Sequence, residues 1–141
     1  MQRGRRIAFD YGDVRIGVAI CDPDAILCTP LTTLKATDKR LADAITAIIA
    51  EYEPIAIYVG KPSNMDGSAG ASAQKAGAFS KLISTLTTVP VVQIDERLST
   101  VSAAKSLQSS GVNAKAAKSR IDEMAAVAIL EFALSIEKNK A

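Results

Sequence analysis

Between Arg5 and Leu34 the chain runs through three short apolar stretches joined by very short links. The first, Arg5 to Asp10, carries Ile7, Ala8 and Phe9 and stops in Asp10-Tyr11-Gly12-Asp13, a cluster of turn formers. The second is Val14 to Cys21. Asp22-Pro23-Asp24-Ala25 then leads to a third, about Ile26 to Leu34, where Pro30 predicts an edge strand because proline has no N–H for a ladder. Strands joined by so few residues can pair only antiparallel. An antiparallel meander therefore opens the chain.

The hydrophobic period then changes. From Lys39 to Tyr52 the apolar residues Leu41, Ile45, Ile48, Ile49 and Tyr52 fall at helical spacing, with Asp38 or Thr37 as N-cap and Pro54 as terminator. Ile55 to Val59 is a continuous apolar run, which predicts a strand covered on both faces. The turn-rich stretch Gly60 to Ser68 precedes a second helix with Ala76, Phe79, Ile83 and Leu86 on one stripe. Val89 to Ile94 is a fifth strand, ending at Asp95-Glu96-Arg97. A third helix starts at Ser99 or Thr100 and ends before Gly111, a C′ residue. A last helix spans about Lys115 to Lys138, with Ile121, Ala125, Ala128, Phe132 and Ile136 inward. The order βββαβαβαα predicts an α/β fold. Its five-stranded mixed sheet has strands one, four and five parallel, strands two and three antiparallel, and helices on both faces. There is no linker and no internal repeat, so residues 1–141 read as a single domain.

A chain of 141 residues is long enough to bury a substantial core without disulfides. No apolar run approaches the ~18 residues of a membrane span. Arg5-Arg6 is followed by only Ile7-Ala8-Phe9 before Asp10, too little for an export signal, so the expected location is cytoplasmic. Cys21 and Cys28 read as small apolar fillers, although they flank a turn that would let them meet. The chain has no histidine. That excludes Ser-His-Asp and Cys-His catalysis, histidine bases and histidine-ligated zinc.

Acidic residues remain. In a sheet of this topology, ligands bind beyond the carboxyl ends of the parallel strands. Asp10 ends strand one, Asp95 and Glu96 end strand five, and Asp122 lies on the last helix beside an apolar stripe and the small pair Ala125-Ala126. Each has a plain alternative: Asp10 as a turn former, Asp95-Glu96-Arg97 as an ion pair and helix cap, Asp122 as a surface acid. Two like charges about 4 Å apart cost roughly 4 kcal/mol at an effective dielectric of 20. A whole domain is stable by only ~5–15 kcal/mol. Converging carboxylates must therefore share protons or hold a cation. Oxygen donors alone suit Mg²⁺ or Mn²⁺. Two such ions can clamp the attacking and leaving oxygens of a phosphodiester, with no side-chain nucleophile.

Asp10-Tyr11-Gly12 followed by Arg15-Ile16-Gly17-Val18-Ala19 resembles the opening motif of the YqgF/RuvX family, small bacterial proteins of the ribonuclease H-like superfamily related to the RuvC resolvase. Thr29-Pro30-Leu31, Val59-Gly60-Lys61-Pro62, Met65-Asp66-Gly67-Ser68, Asp95-Glu96-Arg97-Leu98-Ser99-Thr100 and Asp122-Glu123-Met124-Ala125-Ala126 resemble its remaining motifs, in order, from about Arg6 to Leu134. The resemblance implies a ribonuclease H-like fold and a nuclease using Mg²⁺ or Mn²⁺. It implies action on structured RNA, in maturation of the 5′ end of precursor 16S rRNA, or on branched DNA as a Holliday junction resolvase. By position it makes Asp10, Glu96 and Asp122 the catalytic metal-binding acids, with Asp95 as an additional ligand. Adjacent strand residues point to opposite faces, so the choice between Asp95 and Glu96 stays open. Lys61 stands where an apolar residue is usual, and Ser99 where threonine is usual.

Arg15, Lys61, Arg97, Lys115, Lys118 and Arg120 are candidates for phosphate contacts; a solvated basic surface is the alternative. Three phenylalanines, three tyrosines and no tryptophan make a large base-stacking platform implausible. Two other functions compete. A nucleotide-binding module like the actin-like sugar kinases would need a second domain. A non-catalytic RNA-binding protein could keep the fold without turnover. The chain is read as a monomer or homodimer, the latter required of a resolvase that cuts two strands symmetrically.

Overall fold

The computed structural model describes residues 2–61, 71–95 and 114–140, with the side chains of all of these except 71–73, 114–121 and 140. Strands β1 (Arg6–Tyr11), β2 (Arg15–Cys21), β3 (Cys28–Lys35), β4 (Ala56–Lys61) and β5 (Val91–Asp95) form one sheet in the order β3-β2-β1-β4-β5. The β1–β2 and β2–β3 pairs are antiparallel, and the β1–β4 and β4–β5 pairs are parallel. Helices α1 (Leu41–Tyr52), α2 (Ala71–Leu86) and α3 (Ala114–Lys140) complete the described elements. The sheet pattern read from the sequence is the one observed. The expected third helix and the Met65–Ser68 stretch lie outside the described residues.

Alternation along the strands divides the core in two. Ile7, Phe9, Ile16, Val18, Ile57 and Val59 face α1 and α2, where Ile45, Phe79 and Ile83 meet them. Ala8, Ala19, Tyr58 and Ile94 face α3. Strands β1 and β4 are thus covered on both sides, which is why Ile57 and Val59 are 0% exposed and Tyr58 only 7%. Pro30 sits on the edge strand β3, opposite Ala19, where the register shifts between Val18 and Ala19. Both are places where a missing N–H is tolerated.

Three local expectations change. Helix α1 starts at Leu41 rather than Lys39, and Arg40 takes the N-cap position without a side-chain cap. Asp38 instead turns its carboxylate on the Arg40 N–H at 2.9 Å, a local turn that competes with capping. Strand β5 starts at Val91 because Pro90 cannot donate to a ladder, although its carbonyl accepts the Ile57 N–H at 2.9 Å. On α3 the most buried residues are Ala125, Ala126, Ile129, Leu130 and Ala133, while Ala128, Phe132 and Ile136 are only partly buried. This helix is apolar nearly all round between Ala125 and Leu134, so periodicity alone cannot fix its rotation on the sheet.

The edge of the sheet opposite the predicted acids holds a charge cluster with no counterpart in the sequence reading. Arg6 is 1% exposed and donates to the carbonyls of Gly4 and Gln2 and, at 2.9 Å, to Glu137 near the end of α3. The Tyr58 hydroxyl donates to the other oxygen of the same carboxylate. This cluster ties the C-terminal turns of α3 to β1 and β4.

Candidate metal and nucleic-acid site

Antiparallel pairing sets Asp10 of β1 directly opposite Gly17 of β2, so both belong to the sheet face that α3 covers. Gly17 is needed for what lies above it. A Cβ there would overlap the Asp122 carbonyl outright and stand 2.9 Å from the Glu123 nitrogen. The backbone of α3 therefore rests on the sheet at Gly17. The small residues of the next turn, Ala125 and Ala126, are both 0% exposed. The contact at Gly17 brings the α3 backbone at Asp122, 112 residues along the chain from Asp10, onto the residue that pairs in register with Asp10. Asp10 is 2% exposed, and the Asp122 side chain is 20% exposed.

Arg15 joins them. It lies two residues before Gly17 on β2, hence on the same face, and its Nε donates to Asp122 Oδ2 at 3.0 Å. Arg15 and Lys61 are the predicted phosphate contacts whose side chains are among those described, and Arg15 is the one that ion-pairs with Asp122. Lys115, Lys118 and Arg120 fall in the stretch of α3 whose side chains lie outside the described residues. Lys61 ends β4 exposed. Alternation puts it on the α1/α2 face with Val59, away from Asp10.

Phe9 pairs with Val59 and Gly60 with Ile94, so Asp10 is level with Gly60 and Ile94 across the three parallel strands. Ile94 faces α3. Asp95 must then face the α1/α2 side, paired in register with Lys61. The structure thus does not bring Asp95 to the face that carries Asp10 and Asp122. Glu96 and Arg97 lie outside the described residues. Among the described residues no three acidic or cysteine side chains converge on one point. The pair present, Asp10 and Asp122, offers only hard oxygen donors, which fit Mg²⁺ or Mn²⁺. The contribution of Gly17 was missed in the sequence reading, which placed it in a motif without a role. Its signal was a glycine in mid-strand, a common mark of close backbone approach.

A family model described as RuvX, Holliday junction resolvase, matches residues 4–136. The chain belongs to the RuvX family. A Streptomyces coelicolor protein named as a candidate pre-16S rRNA nuclease is 46% identical over 140 residues, 98% of this chain and 84% of that one. A Rhodococcus erythropolis protein of the same name is 47% identical over 135 residues, covering 92% of this chain and 76% of its own. Among solved structures, RuvC of T. thermophilus in complex with a Holliday junction substrate superposes with a TM-score of 0.55 over 96% of both chains at 14% identity. At that identity the likeness is one of fold, and it makes the sheet and its helices RuvC-like.

Proposed function

We propose that this RuvX-family chain is a divalent-metal-dependent endonuclease of structured nucleic acid, acting in 5′-end maturation of precursor 16S rRNA. The observation that supports the reading is the seating of α3 at Asp122 on Gly17, the register partner of the buried Asp10, on one sheet face. Asp10, Asp122 and Glu96 are the proposed metal holders, Glu96 by its place in the Asp95-Glu96-Arg97 motif. A bound Mg²⁺ or Mn²⁺ would supply an activated water and charge stabilisation at the scissile phosphate. The chain's own part is to hold two carboxylates rigidly, one from a central strand and one from a helix that cannot slide off its glycine seat. Burial of Asp10 keeps its carboxylate in a low-dielectric setting, where a cation is held more strongly than in water. Lys115 and Lys118, seven and four residues before Asp122 in the sequence, are the proposed substrate-phosphate contacts. The RNA substrate is drawn from the names of the relatives. The family's description as a resolvase supports a second reading, cleavage of branched DNA.

The deciding experiment is a cleavage assay in Mn²⁺ with precursor 16S RNA, a four-way DNA junction and plain duplexes. Wild type and Asp10→Asn run side by side. Cleavage of the RNA by wild type alone is expected. Preference for the junction transfers the reading to the resolvase. Binding without cleavage by either protein makes the chain a non-catalytic binder.

A further inference from the structure

We infer that Arg15 is an internal counter-ion that competes with the metal for Asp122. Its guanidinium donates through Nε to Asp122 Oδ2 at 3.0 Å. The pair spans two elements, since Arg15 opens β2 and Asp122 lies on α3. Neither partner is a free surface group: the side chains are 32% and 20% exposed. The backbone beneath them is fixed, because the Asp122 carbonyl rests on Gly17 two residues along the same strand. Arg15 therefore does not reach Asp122 by chance of a flexible stem; strand register and helix seating put it there.

The consequence follows from charge. A carboxylate pair without a cation repels itself, and Arg15 offsets that repulsion in the metal-free protein. A divalent ion that takes Asp122 must displace the guanidinium or accept a positive neighbour. Either way, apparent metal affinity is reduced by the fraction of molecules in which the ion pair is closed. Release of Arg15 leaves a bidentate donor on the same sheet face as Asp10, suited to a phosphate. This role presupposes that Asp122 is a metal ligand, as proposed above.

Mn²⁺ is titrated calorimetrically into the full-length protein after EDTA treatment and dialysis. The variants are Arg15→Gln, Arg15→Met and Asp122→Asn, each checked for a cooperative melt in EDTA. The two neutral Arg15 variants are expected to bind Mn²⁺ about threefold to fivefold more tightly than wild type, the worth of a half-exposed ion pair. Asp122→Asn is expected to bind it more weakly. Weakened binding by Asp122→Asn with unchanged or weaker binding by both Arg15 variants overturns the competition and leaves the metal reading standing. Equal binding by wild type and Asp122→Asn removes Asp122 as a ligand and takes both down. Should wild type bind no Mn²⁺, binding gained in Arg15→Gln or Arg15→Met supports the competition, and its absence in both refutes it. Two neutral side chains of different shape ensure that one folding failure does not decide the result.

Discussion

Replacing Gly17 with alanine is the sharpest test of how the site is built. Gly17 is in a strand where alanine is conformationally acceptable, so the entropic effect alone would stabilise the fold by roughly 0.4–1 kcal/mol. The packing effect has the opposite sign. The new Cβ overlaps the Asp122 carbonyl and stands 2.9 Å from the Glu123 nitrogen. These are helix backbone atoms, which cannot rotate away as a side chain can. Restoring the ~3.5 Å of ordinary contact requires α3 to retreat by roughly 1.5 Å. That retreat loosens Ala125, Ala126, Ile129 and Leu130, all 0% exposed. Overpacking usually costs about 1–3 kcal/mol, and an immovable obstacle belongs at the top of that range. A net loss of about 2 kcal/mol lowers the melting temperature of a domain this size by about 7 °C. Activity should fall further than stability, by at least about 100-fold, because a displacement of more than about 1 Å moves Asp122 out of position. Urea denaturation, Mn²⁺ titration and the cleavage assay on one preparation separate the two effects. A Gly17→Ala protein as stable as wild type, with the same Mn²⁺ affinity, would show that α3 does not rest on Gly17.

Asp10→Asn should lose cleavage while melting at or above the wild-type temperature, since it relieves carboxylate repulsion; unaltered turnover removes Asp10 from the chemistry. Mn²⁺ at about 100 times its Kd should stabilise wild type by ~2.7 kcal/mol through mass action, and Asp10→Asn by much less; equal shifts in differential scanning calorimetry place the ion elsewhere. Glu137→Ala should cost about 3 kcal/mol in urea unfolding, the lower end for a buried pair because Glu137 keeps 26% exposure, since it strands Arg6; a change under about 1 kcal/mol would mean Arg6 finds other partners. Burial pushes the Cys28 thiol up from 9.0 to about 12, and burial with its hydrogen bond to Glu137 raises the Tyr58 phenol above its usual 10.0. Both folded pKa values are raised, so this stabilisation is complete below about pH 9 and is lost as pH climbs through 9 to 12. Urea midpoints at pH 8, 10 and 11 should decline in wild type and less steeply in Tyr58→Phe; a flat series refutes the burial of both groups.

Much of the architecture was legible in residue order. Short links between Arg5 and Leu34 permit only antiparallel pairing, and the apolar run through Ile57 to Val59 demands a strand covered on both sides. Those are consequences of chain length and side-chain period, which act locally. The edge role of Pro30 could be read in the same way. The rotation of α3 could not, because Ala125 to Leu134 is apolar around nearly the whole helix, Glu131 apart, and only the shape of the sheet beneath selects a side. The face of Asp95 was equally undetermined until Ile94 was found against α3, since two neighbouring strand residues are symmetric alternatives until one is packed. Arg6 shows the same division: nothing near it in the chain announces burial, yet it is buried because Glu137 arrives from the far end of α3 to join the neighbouring carbonyls of Gly4 and Gln2. The sequence by itself determined the order, pairing sense and edge of the sheet, because those follow from link lengths and period. Only the tertiary structure decided that Asp122 stands over Gly17 and pairs with Arg15, because such contacts depend on backbone-to-backbone fit between elements that share no local signal.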